Sequence, residues 1–354
     1  MTEADTRSQA ELEILLAEAK KVRGNSLWKD AMKRFKRNRM ARFCLWGLIA
    51  LILICLFTPV LPFAPPARGD LDEANQPPRW ASTHEWSVED YPGLQEETFN
   101  RYLVPFRGWM FGTFEFGPWM GTDRLGRCLM SRIFWGGRIS LMVGLVATLV
   151  SLLIGVSYGA LSGYLGGRWD NLMMRVVDIL YSIPFIFVVI FLITVIRANA
   201  DDLEKLGIDR MMVFFGVIGA IYWLTMARVV RGQVLSVKHQ EFVEAAKAMG
   251  ASTGRILGRH LVPNVLSVIL VYLTLTIPRV MLFEAFLSFL GLGVEAPDVS
   301  WGMLAADGLG AINPIHVYWW FVLFPGLALG LTLLALNFLG DGLRDALDPK
   351  LKDR

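Results

Sequence analysis

Charge is scarce in this chain: Asp, Glu, Lys and Arg make up 19% of its 354 residues, against about a quarter in a soluble domain. The net charge is +3, too small to give a global field that would hold nucleic acid. No Gly-x-x-x-x-Gly-Lys-Ser/Thr loop occurs, so the chain cannot cradle ATP phosphates by the usual means. Cysteine is rare. Cys44 and Cys55 share an apolar run, while Cys128 stands alone, which excludes a disulfide framework and metal-ligand spacing. His84, His239, His260 and His316 fall in loops or at the edges of apolar runs. An intramembrane enzyme would need paired His or acid groups at depth, and these positions supply none.

What the chain has in abundance is apolar sequence, 54% of residues at a mean hydropathy of +0.44. It is gathered into about six long runs, Phe43–Leu61, Ile139–Leu161, Leu172–Ile196, Met211–Val230, Val265–Leu290 and Val317–Gly340. A bilayer crossing needs about 20 apolar residues at 1.5 Å rise each, and in hydrocarbon only helices or closed barrels satisfy the backbone. The expected fold is therefore an all-α integral membrane protein with about six transmembrane helices. A cleaved signal peptide is the rival reading of residues 43–61. It fits poorly, because the basic region begins far from Met1 and no small-residue cleavage site precedes the prolines.

Polar stretches organise the rest. Residues 1–42 form an N-terminal amphipathic and basic segment. Lys20 to Arg42 holds ten Lys or Arg and one acid. Ser26 is placed to cap a helix carrying Leu27, Trp28, Ala31, Met32 and Phe35 on one face, which suits the inner membrane surface. Residues 62–136, with eight prolines and five tryptophans, contain no run long enough to cross and read as an extracytoplasmic segment. Residues 137–340 hold the remaining runs as a core domain, and 341–354 form a tail. Orientation follows from short-loop charge. Loop 231–264 carries Arg231, Lys238, Lys247, Arg255 and Arg259, while loop 291–316 has no Lys or Arg. Both termini are thus expected to be cytoplasmic.

The loop between the fourth and fifth runs carries the most information. Phe242, Ala245, Ala246 and Met249 are expected to share one helix face, with Glu241 and Glu244 beside them. Gly250 suits a left-handed helix stop, Ser252 or Thr253 can cap the next turn, and Pro263 marks re-entry into the membrane. A short helix tied between two spans cannot bury its apolar face alone. It is either an ordinary connector or a peg for a groove on a soluble partner.

These residues carry a resemblance. Glu244-Ala245-Ala246, three residues, Gly250 and then Pro263 resemble the EAA loop of ABC importer permeases, although His260 and Val262 stand where the general pattern has an aliphatic residue and Leu. The ending Arg259 to Asn264 is similar to the peptide and nickel subgroup. Three more stretches add to it: Gly121 to Arg127 with Ser131-Arg132 and Gly137 to Leu141; Glu284 with Leu287 to Gly293 and Ser300-Trp301-Gly302; and Leu339 to Pro349. Together they resemble the C-type subunit of oligopeptide and dipeptide permeases over about 26–61 and 119–350. Cys128 stands where that family usually has Asp.

The resemblance implies a type I ABC importer permease fold in a bacterial inner membrane, and a subunit without its own ATPase site or cofactor. Glu241, Phe242, Glu244, Ala245, Ala246, Met249, Gly250 and Pro263 would then form the ATPase-coupling site. It also implies partners: a sister permease, two ABC ATPase subunits that use ATP and Mg, and an extracytoplasmic solute-binding protein. A secondary transporter or channel is the alternative, but the spans offer few carboxylates and no obvious repeat.

Charges at membrane depth leave choices open. Arg279 and Glu284 should face protein or a water-filled translocation path. Arg279 suits either a peptide carboxylate or packing against the sister subunit, and Glu284 either a structural or a gate role. Arg175 and Asp178, one turn apart, read as a local pair at the membrane edge. Pro184, Pro278 and Pro325 mark kinks or hinges. Gly137, Gly144, Gly155 and Gly159 mark close helix packing or a substrate groove.

Overall fold

The computed structural model describes residues 27–80, 98–199, 202, 205, 210–294, 298–312 and 315–347. Ser26, the early tail and the end of the C-terminal segment lie outside the described residues. The helices are α1 Leu27–Arg37, α2 Arg39–Leu56, α3 Thr98–Phe111, α4 Leu129–Leu165, α5 Gly167–Ser182, α6 Phe185–Ala198, α7 Arg210–Val237, α8 Glu241–Ala248, α9 Val262–Phe289, α10 Trp301–Gly310 and α11 Trp319–Leu347.

The apolar runs became helices, with shifted edges. Asn38 caps α2 by accepting from the Ala41 N–H at 3.1 Å, so the first span starts at Arg39 and not Phe43. It ends at Leu56, short of Leu61, because the Thr58 hydroxyl donates to the carbonyls of Ile54 and Cys55 at 2.9 and 2.8 Å. α4 begins at Leu129, upstream of the expected boundary at 137, and α11 runs past 340 to Leu347.

The third run is not one helix. It divides into α5 and α6, which meet at an 81° bend. Pro184 lies at the break: it lacks an N–H and disfavours the helical conformation of Ile183, whose backbone is extended at φ −76°, ψ 127°. Among the described residues, five helices (α2, α4, α7, the helix continuing into α9, and α11) are each long and apolar enough to cross, and the bent pair, counted as one span, gives a sixth.

Three apolar clusters stack along the bundle. The first joins Leu48, Ile133, Met281, Trp301, Trp320 and Leu336. The second joins Val143, Ala147, Val189, Ile218, Val280 and Leu287. The third, at the opposite end, joins Ala160, Val230, Val234, Val243, Ala246, Ile256 and Leu261. α4 and α7 lie close because small residues line the seam. A Cβ on Gly155 would meet Met226 Cβ at 2.6 Å, and one on Gly163 the Arg231 carbonyl oxygen at 2.9 Å. The glycine series therefore serves packing, not a groove.

The described part of 62–136 folds as a cap over the end of α2 and the start of α4. Asn75 N–H donates to the Asp123 carbonyl at 2.9 Å and Thr122 N–H to that of Gln76 at 3.0 Å. Arg68 pairs with Glu115. Asp123 accepts from Arg127 Nε at 2.7 Å and from Arg132 at 2.6 Å, so the Gly121–Arg127 motif fastens the cap to the start of α4. All three cysteines are free and buried, and burial pushes the Cys128 thiol up to about 11.

Candidate functional site

The 238–263 segment leaves α7 through the turn Lys238–Gln240 and returns into α9. α8 is short, eight residues, so its ends decide whether it holds. Glu241 and Glu244 sit in its first turn and Lys247 in its last, each complementing the helix dipole. At the C-terminus Gly250 takes φ +78°. Its N–H bonds the Lys247 carbonyl at 2.9 Å and the Ala251 N–H bonds that of Ala246 at 3.0 Å. This pair of reverse bonds is a Schellman stop, and a side chain at Gly250 would cost about 1–2 kcal/mol of backbone strain. The anticipated glycine stop is therefore present. Ser252 occupies the cap position of the next turn, Thr253–Arg255, without a side-chain cap bond. A π-helical stretch, Ile256–Leu261, leads without interruption into α9, with Pro263 just past the junction where the helix changes from π to α.

The expected apolar face divides in two. Ala246 and its unanticipated neighbour Val243 are buried, and Phe242 is half-buried, in the cluster that also holds Val234 of α7, Ala160 of α4 and Ile269 of α9. Glu241, Glu244, Ala245 and Met249 lie exposed, with Met249 at 81%. The reason is geometric. Positions 242, 243 and 246 face the span ends, whereas 241, 245 and 249 recur every four residues along the outer side. Val243, three positions before Ala246, was the sequence signal for the inward face.

Polar bonds clamp the same junction. Lys238 Nζ donates to the Gly163 carbonyl at 3.0 Å, and the Lys247 ammonium lies 5.4 Å from the centre of the Tyr164 ring. Asp170 at the start of α5 accepts two bonds from Arg231 of α7, each 2.6 Å, and one from the Ser162 hydroxyl at 2.5 Å. Sequence spacing missed this pair, since its members stand far apart along the chain. Asp178 pairs with Arg228 of α7 at 2.8 Å and not with Arg175, since α5 packs against α7. Arg228 also covers the Tyr181 ring at 4.3 Å.

Arg279 and Glu284 do not come together with this site. Glu284 is 1% exposed and accepts from Ser288 at 2.8 Å and Ser300 at 2.7 Å. Ser300 also caps α10 through the Met303 N–H. Glu284 thus binds α9 to α10 inside this chain. Arg279 is exposed on α9, and its carbonyl accepts from the Tyr222 hydroxyl at 3.1 Å. Among the described residues, no group of three or more His, Cys, Asp or Glu could hold a metal ion.

The chain matches the family described as binding-protein-dependent transport system inner membrane component over residues 151–353. It belongs to that family. Residues 26–78 of the permease match a second family, the N-terminal TM domain of oligopeptide transport permease C. It is 42% identical to the oligopeptide transport system permease protein OppC of Haemophilus influenzae, over 94% of this chain and 92% of that protein. It is 44% identical to OppC of Escherichia coli K12, over 94% and 95%, and 40% identical to the dipeptide transport system permease protein DppC of Bacillus subtilis, over 92% and 87%. A solved chain of an inward-facing MetNI methionine ABC transporter aligns at 19% identity and TM-score 0.47, over 62% of this chain and 98% of that one. The permease is thus a multi-pass membrane protein, and the matched region runs from within α4 through α11.

Proposed function

We propose that this permease forms one half of a peptide translocation path in an ATP-driven importer. It takes mechanical work from ATPase subunits through α8. Its peptide cargo follows from the oligopeptide and dipeptide relatives, which cover nearly all of the chain. Its partners in this reading are a sister permease, two ABC ATPase subunits that use ATP and Mg, and an extracytoplasmic solute-binding protein. This chain contributes no nucleotide site and no cofactor.

One observation carries the reading. α8 shares a single apolar cluster with α4, α7 and α9 while presenting Glu241, Glu244, Ala245 and Met249 outward. A helix packed this way cannot move without moving the spans, and interiors transmit such displacements because they are close-packed. Its outer face offers a small residue, a flexible apolar anchor and two carboxylates, which suit a groove with a basic rim. Arg279 adds a second contact. A charge left toward lipid costs at least about 2.5 kcal/mol, so its exposed side meets the sister subunit or the path.

The test is uptake by the complex that co-purifies when the permease is expressed with its genomic neighbours. Met249→Asp and Ala245→Arg alter only exposed positions, so both variants should insert and melt like the parent while ATP-dependent peptide uptake falls more than tenfold. Parental uptake in both variants, or transport by the lone chain without ATP, would refute the proposal.

A further inference from the structure

The cap contains a helix built inside out. In α3 the residues turned inward are Asn100, Val104 and Arg107, and the first and last of these are polar and fully buried. The residues turned outward are Tyr102, Pro105, Phe106, Trp109 and Met110, continuing to Phe114. Their spacing of three and four places them in one stripe along the helix. Tyr102 and Trp109 are 75% and 79% exposed, and Phe106 stacks on Trp109 at 5.5 Å. Residues 98–111 contain no acid at all. Water does not select that arrangement, in which Arg107 is hidden and the aromatics are shown.

The position of α3 says what does. Arg107 donates to the carbonyls of Leu61 and Phe63 at 3.1 and 3.3 Å, a few residues beyond the outer end of the first span. From the end of the stripe, a ladder of rings leads to the second span. Phe114 meets Phe116 edge-on at 5.4 Å, Phe116 lies 5.8 Å from Phe63, and Phe63 stacks on Phe134 of α4 at 4.9 Å. The helix is therefore held between the outer ends of two spans, at the level where hydrocarbon gives way to headgroups. Trp and Tyr prefer that level, since their rings are apolar with a polar handle.

We propose that α3 lies in the outer leaflet interface, with Tyr102, Phe106, Trp109 and Met110 inserted among lipids and Arg107 fastening it to the first span. The occupant of the stripe is the bilayer itself, continuous with the lipid already surrounding α2 and α4. The cap is thereby moored at its lipid-facing side.

The test places a nitroxide at Tyr102→Cys, Phe106→Cys or Trp109→Cys, one at a time, in a chain lacking the three native cysteines. The full-length chain, in the assembly with which it co-purifies, is put into phosphatidylethanolamine/phosphatidylglycerol nanodiscs, with Leu71→Cys as an exposed control in the cap. Collision rates with oxygen and with a water-soluble nickel chelate are then read. All three stripe positions should favour oxygen over the chelate by at least tenfold relative to Leu71→Cys. Free access of the chelate would overturn the proposal, and chelate protection appearing only on adding the binding protein would make the stripe a protein dock instead. Protection from both reagents in the nanodisc would also overturn it, since the face would then be covered by a protein subunit.

Discussion

Asp170 illustrates how much of the packing beside α8 rests on single side chains. It is buried, it accepts from Ser162 of α4 and Arg231 of α7, and it starts α5. Three elements converge on one carboxylate beside the junction that holds α8. Removing one partner of a buried pair leaves a charge without compensation, worth about 3–5 kcal/mol when both groups are fully enclosed. The Arg231 side chain is 32% exposed, so water relieves part of the loss and Arg231→Ala should cost about 2 kcal/mol. Thermal unfolding in detergent measures it. A melting temperature unchanged from the parent would remove Asp170 from the account. The double variant Asp170→Leu with Arg231→Met should recover most of the loss, because it leaves no charge stranded.

At the scale of elements, the seam between α4 and α7 keeps the junction that holds α8 tight. Gly159 lies against the Ala227 backbone with no room for a Cβ, so Gly159→Val must push the helices apart. Overpacking of this kind costs about 1–3 kcal/mol, and in this seam it also shifts the ground under α8. The variant should lose both melting temperature and coupled ATPase stimulation, whereas Gly216→Ala, where nothing lies within 4 Å, should lose neither. Equal behaviour of the two variants would argue against a packed seam.

The same scale shows what the residues disclosed in advance. Apolar run lengths foretold the spans, because bilayer thickness fixes helix length. Gly250 foretold the stop of α8, because few other residues take its backbone angles. The loop's own face was only partly legible: periodicity grouped Phe242, Ala245, Ala246 and Met249, but which side meets the span ends depends on where α4, α7 and α9 stand. Ala246 accordingly is buried, and Ala246→Asp would test folding more than docking. The break between α5 and α6 was visible as Pro184, yet an 81° turn depends on how α6 packs against α7. Long-range pairs such as Asp170–Arg231 and Asp178–Arg228 leave no local spacing to find. The inverted stripe of α3 was hidden as well, since its exposed side is evident only when Arg107 is seen bonded to residues 61 and 63.

At the scale of the molecule, the proposed mechanism treats the permease as a lever between its cap and α8. One end is closed by the cap, where Arg132 links Asp123 to the start of α4 and lies 3.6 Å from Asp307 of α10. The other end is α8, packed against three spans with Met249 exposed. The most direct measurement is the labelling of Met249→Cys by a membrane-impermeant maleimide, the three native cysteines being buried. In inside-out vesicles the new thiol should react when the permease is present without ATPase subunits, and should be protected once they assemble. In right-side-out vesicles it should not react. Labelling from the outside, or labelling unaffected by the ATPase subunits, would contradict the account.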